Sequence, residues 1–218
     1  MRFIYTNTEL KPDHLKDRFC NLVTAVCEDE LNEIVINSPI LEEYLRTNYP
    51  KYNFISSTTK CLTNQDLVKK ELDKDYLRVC LDYNFNHNFN FLNNLTNSQK
   101  EKVELLINVV CGPNCQNRIQ HYKLNSLYNL NYGKTYQIDY CTLCAPHLLP
   151  YDTKVSNEIT IDEIKKYVDI GIVHFKLEGR RSEPLTHLIS CVKYLIKPEY
   201  QFFVIGKIYY EFEKETEK

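Results

Sequence analysis

Short apolar runs alternate along this chain with stretches whose apolar residues recur at helical spacing. That alternation admits few folds besides a parallel sheet wrapped by helices. Phe3 to Thr6 is the first strand pattern, and Pro12-Asp13 opens a helix in which Leu15, Phe19, Leu22, Val23 and Val26 repeat at one-face spacing. Glu33 to Ile36 follows, and Asn37-Ser38-Pro39 supplies a cap with proline at the first helical position of a segment running to about Asn48. Tyr52 to Ser56 and Leu77 to Leu81 are the third and fourth strands, with a helix from Asn64 to Leu72 between them and a weak one within Asn84 to Leu95.

Val103 to Val110 is the fifth and most apolar strand, and a helix carrying Ile119, Tyr122 and Ser126 comes after Asn114. An irregular stretch, 131–157, is long for a compact domain, and such loops commonly carry function. Thr160-Ile161-Asp162-Glu163 is a capping box that opens a helix to Val168. Ile172 to Leu177 is the sixth strand, and Pro184 to Ile196 is an amphipathic helix. Gln201 to Tyr210 fits helix and strand periods equally, and the charged tail 211–218 is expected to fray. The organisation expected is one barrel-like α/β domain over 1–200, with 131–157 as a cysteine-bearing loop and 201–218 as a packing segment and tail.

The 218 residues suffice for one good core, and a net charge of −2 with mixed signs gives no broad basic face for sequence-blind nucleic-acid binding. No run approaches the ~20 apolar residues of a membrane helix, and the start lacks the apolar length of a signal peptide, so a cytoplasmic location is expected. In that compartment the nine cysteines stay reduced. Cys20, Cys27, Cys80 and Cys191 fall within helix or strand patterns as small hydrophobes, while Cys61 follows the polar strand end Ser56 to Lys60.

The other four form two close pairs, Cys111-x-x-x-Cys115 and Cys141-x-x-Cys144. Thiolates at these spacings converge on one metal or iron–sulfur centre when a strand end and the following helix bring them together. Spacing does not choose iron over zinc, and the bland alternative is a core Cys111 with three incidental neighbours. His121 and His147 lie near enough in sequence to replace a sulfur, although a solvated helix position and a loop position explain them as well.

A second motif is Phe175-Lys176-Leu177-Glu178-Gly179-Arg180. Alternation sets Lys176 and Glu178 on one strand face and Phe175 and Leu177 on the other. At a barrel mouth that pair projects inward, where a charge needs a partner or a ligand, and Arg180 is placed to meet an anionic group. A structural ion network of the three explains the motif equally. The G-x-S-x-G elbow, the glycine-rich phosphate loop and the H-E-x-x-H helix are all absent, and the chain holds five glycines in total.

Taken together, Asn37-Ser38-Pro39, the serine-rich strand end near Ser57, Leu81-Asp82, the apolar strand running into Cys111, and above all Phe175 to Arg180 followed by Ser182 resemble the collagenase-like peptidases, family thirty-two (U-32) of the unknown-type peptidases. The resemblance runs from Phe3 to about Tyr200 and implies a TIM-type (β/α) barrel. It further implies an iron–sulfur cluster, four-iron four-sulfur in type, on Cys111, Cys115, Cys141 and Cys144, with Lys176, Glu178 and Arg180 lining the rim. The activities it implies are hydroxylation of an RNA base or a quinone precursor, or the peptidase activity of the family's older label. Phe3 matches the family's third strand, so about six strands are expected, in an incomplete barrel. A second copy or a companion chain is expected to cover the open edge, and the expected substrate is RNA or a small anion. A structural zinc or binding subunit without catalysis is the reading from another class.

Overall fold

The computed structural model describes residues 1–109, 111, 113–131, 157–178 and 184–216. Six strands form one sheet: β1 Arg2–Tyr5, β2 Glu33–Ile36, β3 Asn53–Ser56, β4 Arg78–Cys80, β5 Val103–Leu106 and β6 His174–Lys176. Neighbours pair in parallel and in chain order, β1 to β6. Every connection steps to the next strand in the same direction, the winding of a barrel, whereas a doubly wound sheet reverses from its middle. The result is a curled half-barrel with flanking helices.

The curl is read directly from one ion pair. Arg2 on β1 donates from Nη1 to Glu104 on β5 at 2.9 Å. Four strand spacings in a flat sheet would hold those strands roughly 19 Å apart. Two side chains meet across that gap only if the sheet bends toward its inner face. Arg2 also donates to Glu33 at 2.7 Å, and Arg78 reaches Glu33 at 3.0 Å, so a charged floor closes the amino ends of the strands.

Strand alternation sorts the two faces. Phe3, Ile34, Ile36, Phe54, Val79, Leu81, Val103, Leu105, Phe175 and Leu177 turn outward into the core shared with the helices. In register with the residues between them, Ile4, Val35, Ile55, Cys80, Glu104, Leu106 and Lys176 turn inward. Lys176 therefore opposes Phe175, as the motif predicts.

The helices are α1 Arg18–Val26, α2 Pro39–Asn48, α3 Gln65–Leu72, α4 Phe89–Asn93, α5 Asn97–Lys102, α6 Arg118–Leu130, α7 Ile161–Asp169, α8 Pro184–Leu195 and α9 Pro198–Thr216. Several begin where a side chain takes up orphan backbone donors: Asn64 accepts from the amides of Asp66 and Leu67, and capping boxes open α5 at Thr96 with Gln99 and α7 at Thr160 with Glu163. The last segment, whose period was ambiguous, is α9 and lies along α8.

Three expectations need correction. The apolar stripe of α1 is not a core face: Phe19, Leu22 and Val26 are 74%, 61% and 76% exposed. The helix instead turns buried Thr24 to the sheet, where the Thr24 carbonyl accepts from Tyr52 at 2.7 Å and its hydroxyl pairs with that of Tyr5. Ile119 on α6 likewise faces solvent. The third is Cys20, expected as a small buried hydrophobe within a helix pattern, which is exposed. Between β5 and β6 the helix packed in the outer core is α7, through Tyr167 and Ile164.

Candidate active site at the carboxyl ends of the strands

The loops after the six strands meet at one mouth, and α6 lies across it. At its first turn the Arg118 guanidinium grips Asp82, which follows β4, through both terminal nitrogens. At its far end the Ser126 hydroxyl accepts from the Thr8 amide, beyond β1, at 2.7 Å. Arg118, Tyr122 and Ser126 are spaced four apart and so share one helix face. Both end residues are buried, which makes this face the underside of the helix.

Asp82 is positioned by its own turn, where its carboxylate accepts from the Asn84 amide at 3.0 Å. The Arg118 guanidinium also stacks 4.4 Å over the Tyr83 ring. Burial works to strip Arg118 of its proton, but hydrogen bonds and charge from Asp82 outweigh it and hold the proton more tightly than usual. With both partners inside the protein, removing either strands a buried charge, at a cost of about 3–5 kcal/mol.

Tyr122 marks the centre of the mouth. Burial raises its hydroxyl pKa, Arg118 opposes the rise, and Glu178, Cys61 and Cys111 add to it. Loops following β3, β5 and β6 thus converge beneath one phenol. Tyr83 is raised in the same way, by burial and then by Cys111. The Cys61 thiol is pushed up by burial, with Arg118 pulling against it. Its backbone is left-handed, φ 51°, a conformation that a side-chain-bearing residue adopts at some cost.

Glu178 is held by an amide clamp. Asn108 donates to the Glu178 carbonyl at 2.7 Å and accepts from its amide at 2.6 Å. Lys176 lies one inward position earlier, near enough to Cys80 to oppose the burial that pushes that thiol up to about 12. Among the described residues neither the Lys176 ammonium nor the Glu178 carboxylate has an ion-pair partner. Arg180 lies outside the described residues, so the three-residue motif is seen only in its first two members.

Of the four expected ligands, Cys111 and Cys115 are half-buried between β5 and α6. Cys111 packs on Tyr83, Leu106 and Val109. Cys141, Cys144 and His147 lie outside the described residues. Among the described residues no three His, Cys, Asp or Glu side chains group to hold a metal. Two half-buried thiols at the mouth, one against a phenol, suit a thiophilic centre as donors but do not complete one by themselves.

Other polar strand ends are already satisfied within the fold. Asn37 donates to Thr59 at 2.8 Å, which shares a hydrogen bond with Ser57. Lys60 turns outward to Glu71 at 2.7 Å and Tyr76 at 2.9 Å, away from the mouth. Beyond the far end of α6, a cavity of about 280 Å³ opens among Tyr5, Asn7, Thr24, Tyr44 and Leu130. Its hydroxyls bond one another or Asn21.

Sequence reasoning passed over Arg118, Tyr83 and the placement of Tyr122. A signal was present: Arg118, Tyr122 and Ser126 recur four apart and share one side of the helix, which marks a buried face that is not a hydrophobic one.

An uncharacterized protease of Methanocaldococcus jannaschii is 24% identical over 183 residues, 77% of this chain and 50% of that protein. The match supports the resemblance to the collagenase-like peptidases. This chain spans half the length of that curated relative. No protein-family model matches the chain, and no solved structure matches it. No helix among the described residues is long and apolar enough to cross a membrane.

Proposed function

We propose that the mouth beneath α6 is the active site of a barrel-derived, metal-centred modification enzyme. The observation that carries this reading is the presence of an ammonium and a carboxylate on the inner end of β6, Lys176 and Glu178, neither with an ion-pair partner among the described residues. Partly buried charges left this way are best explained by a ligand that completes them. Lys176 and Arg180 would orient an anionic group of the substrate, and Glu178, fixed by Asn108, would accept or release a proton. Cys111, Cys115, Cys141 and Cys144 would hold an iron–sulfur cluster, or zinc in its place. Such a cluster supplies electron transfer when bound. The half-buried position of the first two thiols beside the mouth supports this assignment.

Anaerobic purification followed by iron, sulfide and zinc analysis tests it. Four irons and four sulfides per chain, lost in Cys111→Ser, are expected. A protein free of both metals would end the metal reading, and about one zinc with no redox signal would favour a structural centre. If the substrate is RNA, its binding is concentrated at the rim and weakens steeply with salt.

The name of the archaeal relative favours a second reading, a peptidase built at the same mouth. Cleavage of gelatin or casein by a pure preparation, abolished in Glu178→Gln, would establish it. The exposed α1 stripe beside the β1 edge supports a companion chain or second copy at that edge. Light scattering tests this, with Leu22→Lys expected to shift the mass to a single chain.

A further inference from the structure

Helix α1 turns the wrong side outward. Phe19, Leu22 and Val26 face solvent, while Asp17, Cys20, Asn21 and Thr24 share the opposite face at three- and four-residue spacing and line an open cavity toward β1 and α2. A helix that gives its polar side to the inside needs something there to meet it. That space is the cavity of about 280 Å³ beyond the far end of α6, and neither Lys176, Glu178 nor the cysteines of the mouth line it.

The apolar part of its wall comes from the rings of Tyr5 and Tyr44 and from Leu10, Leu15, Leu41 and Leu130. An apolar cavity of about 150 Å³ admits a benzene ring. This one has room for a ring bearing a short chain.

The polar part is one-sided. Tyr44 donates its hydroxyl proton to Asn21 Oδ1 at 2.9 Å, and Asn21 Nδ2 donates in turn to the carbonyls of Leu15 and Asp17. Thr24 gives its proton to the Cys20 carbonyl at 2.7 Å, so the bond between the Tyr5 and Thr24 hydroxyls is donated by Tyr5. The Cys20 thiol, pushed up by partial burial and then by its hydrogen bond to Asp17, is committed as well. With their protons engaged inside the protein, these groups offer the cavity lone pairs alone. Asp17 adds a negative charge, and its bond from the Cys20 amide at 2.7 Å lowers its pKa and so keeps it ionised. Against them stands one fixed donor, His14 Nε2, since Nδ1 accepts from the Lys11 amide at 2.9 Å. The carboxamides of Asn7 and Asn129 serve either role.

We propose that this cavity binds a small aromatic amine in its protonated form, the ring among the leucines and tyrosines and the ammonium on the Asp17 side. An ammonium carries three donors and no acceptor, which complements a wall of acceptors. The faces of the tyrosine rings add a further attraction for a cation. A carboxylate of the same size would meet a like charge and groups with no proton to give.

Titration of the ¹⁵N-labelled full chain with phenethylamine and with phenylacetate, followed by NMR, tests the site. Phenethylamine is expected to saturate with a dissociation constant of about 1 mM, ordinary for so few heavy atoms, and to shift the amides of Lys11, Cys20 and Asn21. Phenylacetate should bind at least about tenfold more weakly. Asp17→Asn keeps a good helix cap and removes the charge, so affinity for the amine should fall about fivefold. Leu10→Trp, at a position outside the helices and strands, fills the cavity and should abolish binding. Phenylacetate binding as tightly as the amine would overturn the proposal, as would the absence of saturable shifts at those three amides. Amine binding undiminished in Leu10→Trp would also overturn it, because the ligand would then lie elsewhere. A metal-free protein that binds the amine as described would leave this site standing and remove only the proposed cofactor.

Discussion

Replacing Glu71 by glutamine gives a quantitative test of the forces that join helix α3 to the strand end beside it. The Glu71 carboxylate is 4% exposed and accepts from the Ser56 hydroxyl at 2.6 Å, Lys60 at 2.7 Å and Lys74 at 2.6 Å. Burial pushes its pKa up, but those hydrogen bonds and the Lys60 charge win and bring it from 4.5 down to about 2. The depressed value means that stability is fully present above about pH 4.5 and is lost as the pH falls through about 2. Linkage converts the shift to about 3 kcal/mol at pH 7, falling to about 1 kcal/mol at pH 3. Glutamine keeps an acceptor for Ser56 and discards the anion. Urea unfolding of both proteins between pH 7 and pH 3 should show a stability gap that narrows by about 2 kcal/mol on acidification. A gap that is constant with pH would refute the reasoning, since it would reflect packing and not charge.

Asn108→Ala removes both halves of the clamp on Glu178 and takes the partners from a part-buried amide and carbonyl. A loss of about 2 kcal/mol is expected in chemical denaturation. Glu104→Ala takes the shared anion from Arg2 and Arg78 at the floor of the half-barrel, which should cost about 3 kcal/mol by the same measurement. The Cys80 thiol, 2% exposed and with a pKa of about 12, should resist iodoacetamide at pH 8 until the chain unfolds. Peptide mapping checks this, with exposed Cys20 as the reactive control. Cys111→Ser should lose less than about 1 kcal/mol in the metal-free protein, because the thiol is only half-buried.

Local chemistry made much of the fold legible. Strand positions follow from short β-branched runs such as Glu33 to Ile36, and helix starts from caps such as Asn64 and Thr160, because these depend on neighbours within four residues. The inward direction of Lys176 was readable for the same reason: alternation in a strand is a local rule. Phe19, Leu22 and Val26 misled because periodicity establishes that a helix has an apolar side without saying what covers it. The floor of Arg2, Glu33, Arg78 and Glu104 was invisible, since its members come from four strands.

By itself, then, the sequence determined six strands, their order of appearance, the helices between them and which charges the last strand turns inward. Each of these follows from hydrogen bonding and side-chain direction over a few residues. Only the tertiary structure decided that the sheet curls and that α6 crosses the mouth instead of joining the outer layer. Those outcomes rest on Arg2 meeting Glu104 and Arg118 meeting Asp82. Groups so far apart in the chain are brought together by the curvature of the whole sheet, which no local pattern encodes.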